Sequence, residues 1–136
     1  MQQITLTLPM IQNMELTASK TAGALGEHIG MSRDKIDEVK MAVVEACINA
    51  FEHSRAPDRE VYMLLKVLGE DADPRGLAIT IQDKGIGFLP DEASDPQPPQ
   101  VPVKRGHGLR IINGLMDDVE IQSDSSGTTV TMTKLR

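Results

Sequence analysis

Val39-Lys40-Met41-Ala42-Val43-Val44-Glu45-Ala46-Cys47-Ile48-Asn49-Ala50-Phe51 has the pattern of a helix with two polar interruptions, Glu45 and Asn49. Those two stand at i and i+4, on one face and about 6 Å apart along the axis. A helix apolar nearly all round is expected to be buried. In a core an unpaired polar group costs roughly 2–7 kcal/mol, and an unpaired charge more. The pair is therefore either a structural one with internal hydrogen-bond partners, or the lining of a cavity that takes a polar ligand.

The size of the chain, 136 residues, suits a single domain over 1–136. Its core has to be built without tryptophan: there are one Tyr, two Phe and eight Met, so aliphatic side chains and adaptable methionine fill it. A net charge of −6 argues against a general nucleic-acid binder, which needs a basic face to displace counterions. The single cysteine, Cys47, excludes an internal disulfide and a thiolate metal cluster, and reads as a small core residue. Met1-Gln2-Gln3-Ile4 resembles no signal peptide, and no apolar run reaches the ~18 residues that span a bilayer, so a cytoplasmic protein is expected.

Ile4, Leu6 and Leu8 alternate with threonines in a half-buried strand that Pro9 ends. Asn13 is placed to cap a helix whose apolar residues Met14, Ala18, Ala22, Leu25 and Ile29 recur every three or four positions, with Gly30 as its stop. Glu15, Ser19, Lys20 and Glu27 are assigned to its outer face, either as solvated surface or as a partner surface. Ser32 and Asp34 start the second helix, which runs to about His53 and is closed by residues 54–58. A strand over 61–67, a turn-rich loop over 70–76 and a strand over 77–83 follow. Asp83 continues the parity of Leu77, Ile79 and Ile81, so it points inward where that strand ends. Five prolines between Leu89 and Lys104 exclude regular structure there and leave a lid or a loop without a role. A short helix from Leu109 to Leu115 or Met116 precedes two strands joined at Ser123-Asp124-Ser125-Ser126-Gly127. Thr128, Val130 and Met132 share one face of the last strand. The order suits an α/β (α+β) two-layer sandwich, with helices on one face of a mixed, mainly antiparallel sheet.

Three pieces are the candidates for chemistry: Glu45 with Asn49, Asp83 with two following glycines, and Gly106-His107-Gly108 opening a helix. Glycines ahead of a helix let backbone N–H groups approach an anion, although most such pairs are plain turns. A Walker-type phosphate loop and metal-ligand clusters of His or Cys are absent from the sequence.

Together, Glu45-Ala46-Cys47-Ile48-Asn49-Ala50, Asp83-Lys84-Gly85-Ile86-Gly87-Phe88, Gly106-His107-Gly108-Leu109 and Gly127-Thr128-Thr129-Val130 resemble the ordered boxes of the GHKL, or histidine-kinase-like, ATPase superfamily. The likeness is strongest to the small anti-sigma-factor serine kinases of bacteria and covers nearly the whole chain. Each box alone is poorly specific; four in order are not. The resemblance implies a Bergerat-type ATP-binding fold with ATP and Mg²⁺ as its ligands. Asn49 would hold Mg²⁺, which needs few protein ligands. Glu45 would be the general base or orienter for the attacking hydroxyl. Asp83 would accept from the adenine amino group, with Gly85 and Gly87 letting the base lie close to backbone. Gly106, His107, Gly108 and Leu109 would form the phosphate box, and Thr128 would support the adenine side. Residues from 89 to about 105 would be the ATP lid, and Lys104, Arg105 and Arg110 are the candidates to neutralise phosphate charge. The proline-rich lid and the missing glycine after His53 depart from the family pattern.

The implied activity is Mg-ATP-dependent phosphorylation of a serine on an anti-sigma-factor antagonist, alternating with sequestration of a sigma factor. A homodimer, with Lys20 on the first helix as a partner contact, belongs to that implication. A nucleotide-binding partner-switch module without kinase activity is the alternative. A histidine-kinase catalytic domain from another signalling pathway fits less well, because His53 follows the Asn49 box and heads no separate hairpin.

Overall fold

The computed structural model describes residues 2–85 and 110–136. The elements are β1 (Gln3–Pro9), α1 (Met14–His28), α2 (Arg33–His53), β2 (Glu60–Glu70), β3 (Asp73–Asp83), β4 (Asp118–Asp124) and β5 (Gly127–Leu135), with a helical segment over 110–115 ahead of β4. The strands form one sheet in the order β1-β2-β3-β5-β4. All four ladders among the described residues are antiparallel, so the expected mainly antiparallel sheet is found without the mixed pairing. β3 and β4 do run the same way, but the β4–β5 hairpin sets β5 between them, so they never pair.

Period-two burial shows where the core lies. Val61, Met63, Leu65 and Val67 of β2 and Leu77, Ile79 and Ile81 of β3 are buried, while their neighbours are more open. Against that face pack α1 and α2, with Val39, Val43 and Cys47 among the fully buried side chains. Ile112 and Met116 bring the helical segment over 110–115 and the residue after it onto the same core.

The helices approach closely because their contact stripe is small. A Cβ on Gly23 would lie 2.9 Å from Lys40 Cδ, and one on Gly26 3.1 Å from Ile36 Cγ1. Ser19 belongs to this stripe rather than to the outer face. It is buried, and its hydroxyl donates to the Lys40 carbonyl at 3.3 Å. Asn13 precedes α1 in the left-handed region at φ 79 and makes no side-chain cap, so its expected role fails; Ser32, accepting from Lys35 N–H at 3.3 Å, does cap α2. The expected 70–76 loop shrinks to a two-residue turn: β2 runs on to Glu70 and β3 begins at Asp73, with a register shift at Leu68/Gly69 absorbing the irregularity.

Two basic side chains lock elements that sequence patterning left loose. Arg59 donates to the carbonyls of Ser54 (3.0 Å) and Phe51 (3.2 Å), closing the end of α2. Lys134 continues the inward parity of β5 and is buried. Its ammonium meets Glu38 of α2 at 3.3 Å and donates to the Leu115 carbonyl, tying the 110–115 segment to both layers.

Candidate nucleotide site

Asp83 ends β3 facing inward, as its parity requires, and is only 6% exposed. Its Oδ1 accepts from Gly85 N–H at 2.9 Å, an aspartate turn that holds the carboxylate in place. Among the described residues its other oxygen has no hydrogen-bond partner. Burying an acceptor unpaired costs roughly 1–3 kcal/mol, which a donor arriving from outside would recover.

Glycines let backbone close around this carboxylate. A Cβ on Gly85 would sit 2.8 Å from the Ala56 nitrogen, so the β3 end abuts the loop that leaves α2. Ala56 is itself held there, its N–H donating to Ser54 Oγ at 3.0 Å. A Cβ on Gly127 would fall 2.0 Å from the Asp83 carbonyl oxygen, and Gly127 has φ +136, so both space and backbone demand glycine. Thr128 is in register with Asp83 across β3–β5 and with Ser123 across β4–β5. Its hydroxyl lies 2.9 Å from Ser123 Oγ.

Glu45 and Asn49 do share a face of α2, but the helix is not buried all round. Met41, one turn before Glu45, is 57% exposed, and Val44, Glu45, Ile48 and Asn49 are half-buried. The buried side of α2 runs through Val39, Ala42, Val43 and Ala46 instead. Among the described residues, neither the Glu45 carboxylate nor the Asn49 amide has a side-chain hydrogen bond or ion pair. Cys47 lies deep in the core, where burial first and the Glu15 carboxylate second push its thiol up to about 12. Lys84 leans away from the site, its ammonium 4.2 Å from the centroid of the Tyr62 ring.

The structure thus gathers Asp83, Gly85 and Thr128 at one end of the sheet, against the loop following the helix that bears Glu45 and Asn49. Gly87, Arg105, Gly106, His107, Gly108, Leu109, Lys104 and the 89–105 lid lie outside the described residues. Arg110, exposed at the start of the 110–115 segment, is the one described candidate for phosphate charge. Sequence reasoning missed the steric role of Gly127, the brace from Ser123, and the seat that Ala56 provides for Gly85. The Ser54-x-Ala56 spacing, which suits a serine turn, was the available signal for the last. Among the described residues no cluster of three or more acidic, His or Cys side chains is poised to hold a metal ion.

A family model described as a histidine kinase-like ATPase domain matches residues 12–134. A serine-protein kinase RsbW of Bacillus licheniformis is 35% identical over 121 residues, 84% of this chain and 73% of that protein. An anti-sigma F factor of Bacillus thuringiensis is 32% identical over 136 residues, 97% of this chain and 91% of that protein. Among solved structures, the RsbU and RsbW domains of a Mycobacterium tuberculosis protein superpose with a TM-score of 0.72 at 20% identity. That match covers 99% of this chain and 33% of the other, and bears on the fold alone.

Proposed function

This chain belongs to the histidine kinase-like ATPase family, among its RsbW-type serine kinases and anti-sigma factors, and on that premise we propose that it transfers the γ-phosphate of Mg-ATP to a serine of a protein antagonist and otherwise sequesters a sigma factor. The observation that carries the nucleotide half is the Asp83 carboxylate: buried, fixed by Gly85 on one oxygen and, among the described residues, open on the other. An exocyclic amino group is the donor that fits it.

Bound Mg-ATP would supply the phosphoryl group. Asp83 Oδ2 would accept from the adenine amino group, and the close backbone approaches at Gly85 and Gly127 would keep that carboxylate in position. Asn49 offers its amide oxygen to Mg²⁺ from α2. Glu45, one turn earlier on the same face, would orient the serine hydroxyl and take its proton as the oxygen attacks the γ-phosphorus and the bond to the β-phosphate breaks, with ADP leaving. The phosphate box 106–109 and the lid 89–105 complete the site in this reading.

For the partner half, the support is a groove of about 590 Å³ between α1 and the edge strand β1, lined by Gln3, Ile4, Lys20, Leu25 and His28. Lys20 is exposed there, and we assign partner contact to it. Homodimerisation and a cytoplasmic location accompany the proposal. Among the described residues no helix is long and apolar enough to cross a membrane.

The test is phosphotransfer. Incubation with Mg-ATP and extract of the source cell should yield one phosphoserine protein, identified by mass spectrometry. Glu45→Ala should slow transfer by at least ~100-fold with ATP affinity kept, the scale of a lost general base. Equal turnover by that variant removes Glu45 from the chemistry; binding of ATP with no transfer by the native chain would favour the partner-switch module without kinase activity.

A further inference from the structure

We infer that Lys134 and Glu38 are positioning residues for the polyphosphate: together they hold Arg110 at a fixed place relative to the face of α2 that bears Glu45 and Asn49. The inference rests on the nucleotide reading above and adds two residues to it. Lys134 is a cation in the core, 6% exposed, at an inward position of β5 that apolar side chains usually fill. Its ammonium meets Glu38 Oε1 of α2 at 3.3 Å and donates to the carbonyl of Leu115. One side chain of β5 therefore joins α2 to the end of the helical segment over 110–115. The exit of that segment is fixed as well. Asp117 N–H donates to the Thr133 carbonyl at 2.9 Å, and Asp117 Oδ2 accepts from Leu135 N–H at 2.6 Å.

Stability does not account for the ion pair, because apolar side chains of similar volume serve a core as well as a buried pair or better. What an ammonium adds is direction. It has three donors and no acceptor, so it settles where it reaches a carboxylate and a carbonyl at once. Glu38 belongs to the same continuous helix as Glu45, two turns and about 10 Å before it. Leu115 belongs to the same segment as Arg110, about 7 Å from it along the axis. Two stiff pieces thus meet at Lys134, and a shift at Leu115 is carried to Arg110, exposed at the other end of the shorter one. The base is secured elsewhere, by Asp83 with Gly85. This division confines the fault of a broken tie to the phosphates. Arg110 then no longer meets the β- and γ-phosphates in register with Asn49, while adenine stays on Asp83.

The experiment compares Mg-ATP with AMP, which keeps the base and ribose and lacks the β- and γ-phosphates. Their Kd values are measured by NMR titration for the native chain, Lys134→Met, Glu38→Ala, Arg110→Gln and the Lys134→Met/Arg110→Gln double variant. The AMP/ATP ratio of Kd should fall about tenfold in Lys134→Met, the worth of one hydrogen bond to a charged group. Glu38→Ala leaves Lys134 on the Leu115 carbonyl but cuts the link to α2, and should lower the ratio alike. Arg110→Gln should do the same, and the double variant should add nothing further. A purely structural loosening of the core would weaken both nucleotides together and leave the ratio unmoved. An unchanged ratio in Lys134→Met or in Glu38→Ala overturns the inference while the nucleotide reading stands, and so do additive losses in the double variant. Should Lys134→Met not fold, Glu38→Ala decides alone, at a side chain 39% exposed. A native chain that binds neither nucleotide overturns both.

Discussion

At Asp83 strand parity and ligand chemistry coincide. The alternation of Leu77, Ile79 and Ile81 turned it inward, and Gly85 took one oxygen and left the other. Asp83→Asn keeps an oxygen for Gly85 N–H but can place an amide NH₂ where the acceptor was. ATP affinity should drop about ten- to hundredfold by calorimetry, the cost of a lost or mismatched buried hydrogen bond, with Tm little changed. Undiminished binding would remove Asp83 from the base. This role was legible in the sequence because a period of two extends to the last strand residue. The exposure of Met41 was not, because hydropathy shows that a helix is apolar without showing which of its sides the fold covers.

Cys47 is the opposite case: an apolar run made it core, and the structure adds a pH dependence. Its thiol is pushed to about 12, against 9.0 in the unfolded chain, chiefly by burial and then by Glu15. The folded state therefore holds that proton more tightly. Stability from this group is whole below pH 9.0 and is lost as pH rises from there towards about 12. At pH 8 a disulfide reagent should leave the folded chain unlabelled and modify one thiol in urea. Rapid labelling without denaturant would contradict the burial.

At the scale of elements, the close approaches were the least readable feature. Gly127 in a Ser/Asp/Gly stretch looks like an ordinary hairpin glycine. Only the register of β5 on β3 reveals that it presses on the Asp83 carbonyl. Gly127→Ala meets a 2.0 Å contact and a φ of +136 together. It should destabilise by at least about 2 kcal/mol in urea titrations and weaken ATP binding with it. A neutral result would mean that the β5 start is free to shift. Ser19 and Lys134 tell the same story. One polar residue falls in a helix–helix seam and one cation on an inward strand position, and each is tolerated because a carbonyl from another element receives it.

At the scale of the whole molecule, a ligand that engages both the β3–β5 end and α2 should tie the two layers together. Mg-ATP at one hundred times its Kd should stabilise by about 2.7 kcal/mol. A rise in Tm on adding Mg-ATP, reduced when EDTA removes the cation and equally reduced by Asn49→Ala, is the expected thermal-shift result; no rise at millimolar nucleotide would contradict an ATP site. What the sequence by itself determined was the order of elements, the inward aim of Asp83, the shared face of Glu45 and Asn49 and the family. The first three follow from local periodicity and spacing, which neighbouring residues set; the family follows from the likeness of four motifs in order. Only the tertiary structure decided the all-antiparallel order, the half-open face of α2, the Lys134 tie and the row of Ser123, Thr128 and Asp83. Each of those depends on which distant segments touch, and contact between distant segments leaves no period in the chain.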